Sequence, residues 1–420
     1  MKRLRVLVSS FACSPYHGSE KGAGWNVISR LARYHDVTVL VGDMRNGSQT
    51  KSELERWFSE HGAIPNLRTV YIAPSLTVRI FVALHKIPLF WPLYYVGYDF
   101  WQKQAYKKAA ELHRAENYDL AHQFTYHTIR NPGYLWNLGI PFFWGPFSGA
   151  TMVPWSFLWF SGITGVGRIY FRNILNSIQL ALAFKSRKAG RKARKLWCSG
   201  IEDKTYIEKN WGVRAEILNE TGTDAGCIVK KQTHDRNPTL HLCWSGLHVP
   251  RKALPLVFQA LNQIPESFSW TLTVMGDGPM NSRWKSQLKK LVKIRDKVRF
   301  TGSLPKSEAL KTMAKSDVFL HSSIKEASSS VVMEALSLGL PVVCHDISGM
   351  SNAIDDTCGM KIPLLSPRRS IEGFREAILR ILRDPALLEA LSEGATARAS
   401  ELSWDRMASR IATAYAETVT

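Results

Sequence analysis

Acidic residues are scarce in this sequence: 35 Asp and Glu stand against 55 Lys and Arg, a net charge of +20. That imbalance points to an anionic partner: nucleic acid, an acidic membrane surface or phosphate-bearing substrates. No recognised nucleic-acid module accompanies the charge, so nucleic acid is not expected. Six cysteines (Cys13, Cys198, Cys227, Cys243, Cys344, Cys358) are scattered, with no C-x-x-C pair and no zinc-like spacing. They suit buried thiols in a reducing compartment, not a disulfide framework. Gly18, Gly22 and Gly24 do not fit G-x-G-x-x-G, so a dinucleotide cofactor is not expected. No Asp-x-Asp triplet occurs either. Long apolar runs are also missing. Residues 76–101 are dense in aromatics, but Arg79, His85, Lys86 and two prolines interrupt them; residues 142–167 lack charge but carry prolines and many glycines. Neither stretch reads as a bilayer-spanning helix of ~20 apolar residues. The opening MKRLRVLVSS has too short an apolar run for a signal peptide and reads as a first strand. With no removable targeting segment, the cytoplasm is the default.

What is present is alternation. The chain has 420 residues and is 45% apolar, enough for two domains with a core each. A strand at 4–10, a helix at 26–33 and a strand at 37–41 make a βαβ opening. Its loop, CSPYHGSEKGAGW at 13–25, lies at a strand's C-terminal end, where open α/β sheets bind ligands. Strands at 118–125, 140–146 and 196–200 continue a first domain, 1–217. The polar, irregular stretch 218–237 reads as a linker. A second domain, 238–400, opens with the strand and turn 240–246, and further strands follow at 271–278, 297–304 and 318–321. A last helix lies within 401–420. This order implies an α/β fold with parallel sheets and right-handed crossovers.

The densest stretch, HSSIKEASSSVVMEALSLGLPVV at 321–343, puts Glu326 in a polar loop and Glu334 inside an apolar helix. Ser328, Ser329 and Ser330 are N-cap candidates, so backbone N–H groups and the positive end of the helix dipole face the loop. Such a helix start is a ready phosphate site. Gly339 reads as the helix stop, with Pro341 leading into a buried strand. At ~1.5 Å per helical residue the two carboxylates lie on the order of 10 Å apart, about the span from sugar to ribose in a nucleotide sugar.

This segment resembles the Glu-x7-Glu signature of the family-four retaining glycosyltransferases, which have the GT-B fold of two Rossmann-like domains facing across a cleft. The resemblance implies that Glu326 contacts the donor sugar and Glu334 the ribose. It extends, with varying strength, over nearly the whole chain. The G-S-E-x-G-x-G-W loop beginning at Gly18 is similar to the donor- and acceptor-bordering loop of exopolysaccharide-type members. The strand Tyr118–Thr125 resembles the family's Asp-x-x-His strand end and implies a histidine near donor sugar and acceptor, His122, with His127 as the alternative. Gly145 and Gly149 follow, close to the cleft. Where the family has G-R-L-x-x-x-K-G, this chain has Gly246-Leu247-His248-Val249-Pro250-Arg251-Lys252-Ala253. Lys252 keeps the phosphate-binding position, and Leu247 replaces the usual arginine. Arg251 stands in reach to substitute, since guanidinium pairs well with oxyanions. Gly276, in a Gly-x-Gly-Pro loop, and Gly302, whose turn is expected to read the base, complete the donor side with Ser329, Ser330 and Val331.

The implied reaction is transfer of a hexose from a nucleotide diphosphate sugar to a saccharide or lipid-linked saccharide acceptor, with retention and without a metal, in polysaccharide biosynthesis. His122, Lys252 and Glu326 are its expected catalytic residues, and no cofactor beyond the donor substrate is expected. A catalytically degenerate glycan-binding protein, or another nucleotide-sugar enzyme on the same fold, remains open. The aromatic stretch 76–101 and the basic run KSRKAGRKARK at 185–195 suit an anionic membrane interface, which would place the protein peripherally at the inner membrane face. A packed core with a solvated basic helix is the competing reading of the same residues.

Overall fold

The computed structural model describes residues 2–44, 49–87, 90, 92–158, 163–224, 226 and 239–419. It resolves into two compact units. The first comprises Met1–Ala150, Gln179–Thr221 and Trp404–Thr420; the second comprises Thr151–Ile178 and Gly222–Ser403.

The first unit is built on a seven-stranded sheet of β1 (Arg5–Ser10), β2 (Asp36–Val41), β3 (Leu67–Tyr71), β4 (Leu120–Thr125), β5 (Phe142–Phe147), β6 (Lys195–Cys198) and β7 (Glu216–Ile217). The order is β3-β2-β1-β4-β5-β6-β7 and every pairing is parallel. A parallel sheet needs both faces covered, and the period-2 alternation supplies both. Val6 and Val8 of β1, Leu120 and Phe124 of β4 and Phe143 of β5 pack on one face. Leu7, Ala121, Phe142 and Trp144 pack on the other. The helices Ser19–Leu31 and Trp404–Val419 cover the first face: Ile28 and Leu31 meet Ala408, Ile411 and Tyr415 there. Arg30 and Arg33 hold Asp405, at 3.2 and 2.5 Å.

The second unit carries a six-stranded parallel sheet of β8 (Thr239–Ser245), β9 (Ser269–Met275), β10 (Val298–Gly302), β11 (Val318–His321), β12 (Val342–His345) and β13 (Gly359–Ile362), ordered β10-β9-β8-β11-β12-β13. Alternation again divides its core: Leu242, Trp244, Leu272 and Val274 lie on one face, Cys243, Phe319, Val342 and Cys344 on the other. Strand order reverses between β1 and β4 in the first sheet and between β8 and β11 in the second. Those switch points, at the C-terminal strand ends, are where such sheets open a crevice.

The structure redraws three details. Residues 151–178, read as part of a continuous first domain, belong to the second unit, because Val153 and the fully buried Phe157 pack with Ala253, Leu256 and Ile324. The first helix begins at Ser19, not near residue 26, so Gly22 and Gly24 are helical. A Cβ on Gly24 would stand 2.1 Å from the Ala12 carbonyl oxygen, and that close approach explains the glycine. Of the expected linker, Leu218–Thr221 is buried; residues 225 and 227–238 lie outside the described residues, Cys227 among them. The other five cysteines are buried free thiols. Among the described residues no helix is long and apolar enough to cross a membrane.

Candidate functional site

The second unit's site forms where the strand order reverses. After β8 the chain turns at Gly246 and makes a short 3-10 turn, Pro250–Lys252. After β11 it runs through Ser322–Ala327 into the helix Ser330–Ser337. The two loops are stitched together: Ile324 N donates to Arg251 O (2.8 Å), and Ser322 Oγ donates to Lys252 O (2.7 Å). This backbone frame fixes where the side chains of Arg251, Lys252 and Glu326 emerge.

Those three side chains form one charge cluster. Lys252 Nζ lies 2.5 Å from Glu326 Oε2, Arg251 Nη1 2.8 Å and Ser323 Oγ 3.3 Å from the same oxygen. Lys252 and Glu326 are 9% and 13% exposed at the side chain, whereas Arg251 is 43% exposed. Burial pulls the Lys252 ammonium below its usual value, and the Glu326 carboxylate pulls it back up. Two cations on one carboxylate leave a local surplus of positive charge. His321, buried at the end of β11, comes within 3.9 Å of Glu326. Burial first, then Lys252, keeps its imidazole well below the usual histidine value, so it is neutral. The sequence motif contained His321 and Ser323, but nothing in their spacing set them apart.

Beside the cluster opens a cleft of about 690 Å³ lined by Gly246, Leu247, Gly276, Asp277, Ser303 and Leu304, among others. Its glycines are set by backbone crowding. Gly276 has φ +111°, and a Cβ there would stand 2.1 Å from Gly246 O. Gly276 N donates to Gly302 O at 2.8 Å, so the loops after β8, β9 and β10 lock together around Gly246, Gly276 and Gly302. Leu247, where the resemblance expects arginine, is 58% exposed on the cleft wall.

Glu334 sits within the helix and pairs with Lys306 Nζ at 3.4 Å. Burial raises its carboxyl above the usual value, with Lys306 opposing. Ser329 occupies the N-cap position, but its hydroxyl does not cap the helix, contrary to the expected serine cap. The first helical residues, Ser330 and Val331, have no intrahelical acceptor for their N–H groups.

In the first unit the placements differ from expectation. Gly18 is the N-cap of the first helix, and a Cβ there would meet nothing within 4 Å, so sterics do not require glycine. His122 is placed away from the open strand end that was expected of it. It lies within β4, fully buried; its Nε2 donates to Gly145 O (2.7 Å) and its Nδ1 accepts from the Tyr415 hydroxyl. Burial drives its pKa down to about 3, so it is a neutral clamp between the sheet and the C-terminal helix, with no nitrogen left for a substrate. His127, the alternative, follows the end of β4. Its Nδ1 is 4.0 Å from both Glu20 Oε1 and Glu220 Oε2, and its backbone N–H donates to Glu20 Oε1 at 2.6 Å. Burial lifts Glu20 to about 7 and Glu220 to about 8. Glu20 was visible in the glycine loop; Glu220 lay in the stretch read as linker, where no pattern marked it. Among the described residues no group of three or more His, Cys, Asp or Glu side chains is arranged to hold a metal.

Two parallel α/β units with ligand-facing switch points define the GT-B fold. HepE of Anabaena, solved in complex with UDP and glucose, superimposes with a TM-score of 0.60 over 99% of this chain and 99% of that one, at 17% identity. At that identity the likeness establishes the fold. The second unit gives more: residues 239–384 match the family described as Glycosyl transferases group 1. Sulfoquinovosyl transferase SQD2 of Arabidopsis thaliana is 29% identical over 217 residues, 52% of this chain and 38% of that protein. The lipopolysaccharide core biosynthesis glycosyltransferase LpsD of Rhizobium meliloti is 29% identical over 36% of this chain and 41% of its own length. The chain thus spans less than half the length of either relative. The structural likeness gives the GT-B fold, and residues 239–384 are similar to the group 1 glycosyl transferases.

Proposed function

We propose that this chain is a retaining glycosyltransferase that moves a hexose from a nucleotide diphosphate sugar to a saccharide or lipid-linked saccharide acceptor in polysaccharide biosynthesis. The observation that carries the reading is the Lys252–Arg251–Glu326 cluster at the β8/β11 switch point, beside a cleft of nucleotide size. In the reaction, the bond between the anomeric carbon and the diphosphate breaks while the sugar gains oxocarbenium character. The leaving diphosphate needs preorganised positive charge. Lys252, Arg251 and the N–H groups of Ser330 and Val331 supply it without a metal. Every contact made to Glu326 falls on Oε2, among the described residues, so Oε1 is the oxygen offered to a sugar hydroxyl. Glu334 takes the ribose hydroxyls, exchanging Lys306 for them. Gly246, Gly276 and Gly302 let the nucleoside approach bare backbone. With no side chain here assigned to attack the sugar, retention follows a front-face course in which the departing phosphate accepts the acceptor's proton. The acceptor is presented at an anionic membrane surface on the cytoplasmic side.

The exposed Leu247 favours a second reading, a degenerate protein that binds donor or glycan without turnover. Calorimetric titration with UDP and GDP, followed by product release from UDP- and GDP-sugars, separates the two. Binding with Glu326-dependent turnover and retained anomeric configuration supports transfer. Binding without turnover supports degeneracy, and the absence of any nucleotide binding defeats both.

A further inference from the structure

The short helix Leu76–Leu84 in the first unit is apolar on both sides. Val78 and Val82 face the core and are buried. Leu76, Ile80 and Leu84, four residues apart on the opposite face, are 73%, 50% and 37% exposed, and Ile87 in the next turn is 47% exposed. A helix apolar all round is ordinarily enclosed; this one shows its second face to solvent. Arg79 and Lys86 are exposed along one flank of the ridge, and no acidic residue occurs between Leu76 and Tyr98. The neighbouring Tyr98 and Trp101 are core residues packed on Phe11, so the aromatic density of this stretch does not itself explain the ridge. The basic run 185–195 is partly occupied within its own unit: Lys185 pairs with Asp99 at 2.6 Å and lies 3.6 Å from the Tyr134 ring, and Lys192 lies 4.9 Å from Trp136.

We propose that the ridge Leu76–Ile80–Leu84–Ile87, with Arg79 and Lys86 beside it, docks the first unit on an anionic lipid bilayer. The helix would lie in the headgroup plane with the apolar side chains sunk between the lipids. Large exposed apolar patches on soluble folds mark interaction surfaces, and apolar insertion flanked by basic side chains is the pattern for interfacial helices. A second copy of this chain is the weaker occupant. A two-fold interface sets the same patch against itself, bringing the Arg79 and Lys86 flanks of both copies together with no acid to offset them. A phospholipid surface supplies both the apolar depth and the negative charge. The proposal deepens the reading of a membrane-presented acceptor, and it is measured without turnover so that the two can fail separately.

The test is co-sedimentation of the full chain with vesicles of phosphatidylcholine alone and of phosphatidylcholine with one third phosphatidylglycerol, at low and high salt. Wild type is expected to bind the anionic vesicles and to weaken in salt. Ile80→Glu with Leu84→Glu should reduce partitioning by at least roughly tenfold; Arg79→Gln with Lys86→Gln should reduce it by roughly tenfold and flatten the salt dependence. Binding of UDP or GDP, whichever wild type takes, and far-UV circular dichroism should not change in either variant, which certifies the fold. Equal partitioning of wild type and the Glu variant, or no binding at low salt, overturns the proposal. So does a dimer in sedimentation velocity that the Glu variant dissociates, which assigns the ridge to a second copy. Absence of both UDP and GDP binding with vesicle binding intact would remove the glycosyl-transfer reading and leave this surface standing.

Discussion

Replacing Glu326 with glutamine is expected to weaken the free protein while strengthening its response to a nucleoside diphosphate. In the free chain Glu326 is the counter-charge for Lys252, whose side chain is 9% exposed, and for Arg251. Breaking a buried ion pair by removing one partner costs ~3–5 kcal/mol in general. Arg251 is 43% exposed, so solvent screens its share, and an exposed pair contributes only ~0–1 kcal/mol. The amide retains one carbonyl oxygen, which by turning to the position of Oε2 accepts from Lys252 and Ser323 and recovers part of the loss. A net destabilisation of roughly 2–3 kcal/mol remains, which for a unit of this size lowers Tm by roughly 4–12 °C. A bound diphosphate then becomes the principal anion available to both cations, so the thermal shift produced by saturating UDP or GDP, whichever stabilises wild type, should exceed the wild-type shift. Turnover, read as nucleotide release from the matching nucleotide sugar, should collapse, because the carboxylate that holds the sugar is gone. Differential scanning fluorimetry with and without nucleotide reads the first two effects. A variant that melts with wild type, or whose nucleotide shift is no larger, would show that these cations do not serve the diphosphate.

Lys252→Met should lower nucleoside diphosphate affinity by roughly 10–100-fold, the worth of a charge-assisted hydrogen bond, as read by calorimetry. Gly276→Ala should destabilise the second unit and abolish nucleotide binding, since its Cβ would meet Gly246 O at 2.1 Å at φ +111°; unchanged binding would detach this turn from the site. His122→Leu should lower Tm, because it strands the Tyr415 hydroxyl and the Gly145 carbonyl, yet leave kcat near wild type; a large fall in kcat with normal stability would restore a catalytic role. Glu20 and Glu220 predict the sign of a pH effect. Burial raises them from 4.5 to about 7 and about 8, so the folded chain holds protons that the unfolded chain has released. Their contribution is complete below about pH 4.5 and is lost as pH rises toward 8. Glu220→Gln should therefore flatten the fall in Tm between pH 5 and 8, and a steeper fall would reverse the assignment.

Much of the fold was legible because parallel strands leave a plain signature. Val6 to Ser10 and Val37 to Val41 are continuous apolar or small runs because they are buried on both faces. The helix Ser330–Ser337 was legible from its apolar periodicity and from the glycine after it. What the chain hides is where sequence neighbours part company. Residues 151–178 follow β5 directly, yet Val153 and Phe157 find their partners in Ala253, Leu256 and Ile324, a hundred residues on. No local pattern carries that pairing, because the hydrophobic effect that drives it has no direction and no register.

The candidate site divides along the same line. Lys252 and Glu326 were singled out by the resemblance, and the structure brings their side chains together because both loops are anchored to the ends of particular strands. The side to which His122 points was hidden for a related reason: a histidine written near a strand end has two faces open to it, and one residue of register decides between them. Its strand partners, Val8 and Phe143, lie in the core shared with the C-terminal helix, so His122 turns toward Tyr415 and is sealed there. His127, beyond the last strand residue, escapes the alternation and reaches Glu20 and Glu220 past the C-terminal end of the central strand. A histidine's chemistry here follows from which side of the sheet its strand exit leaves it on, and that side is set by a helix almost three hundred residues away.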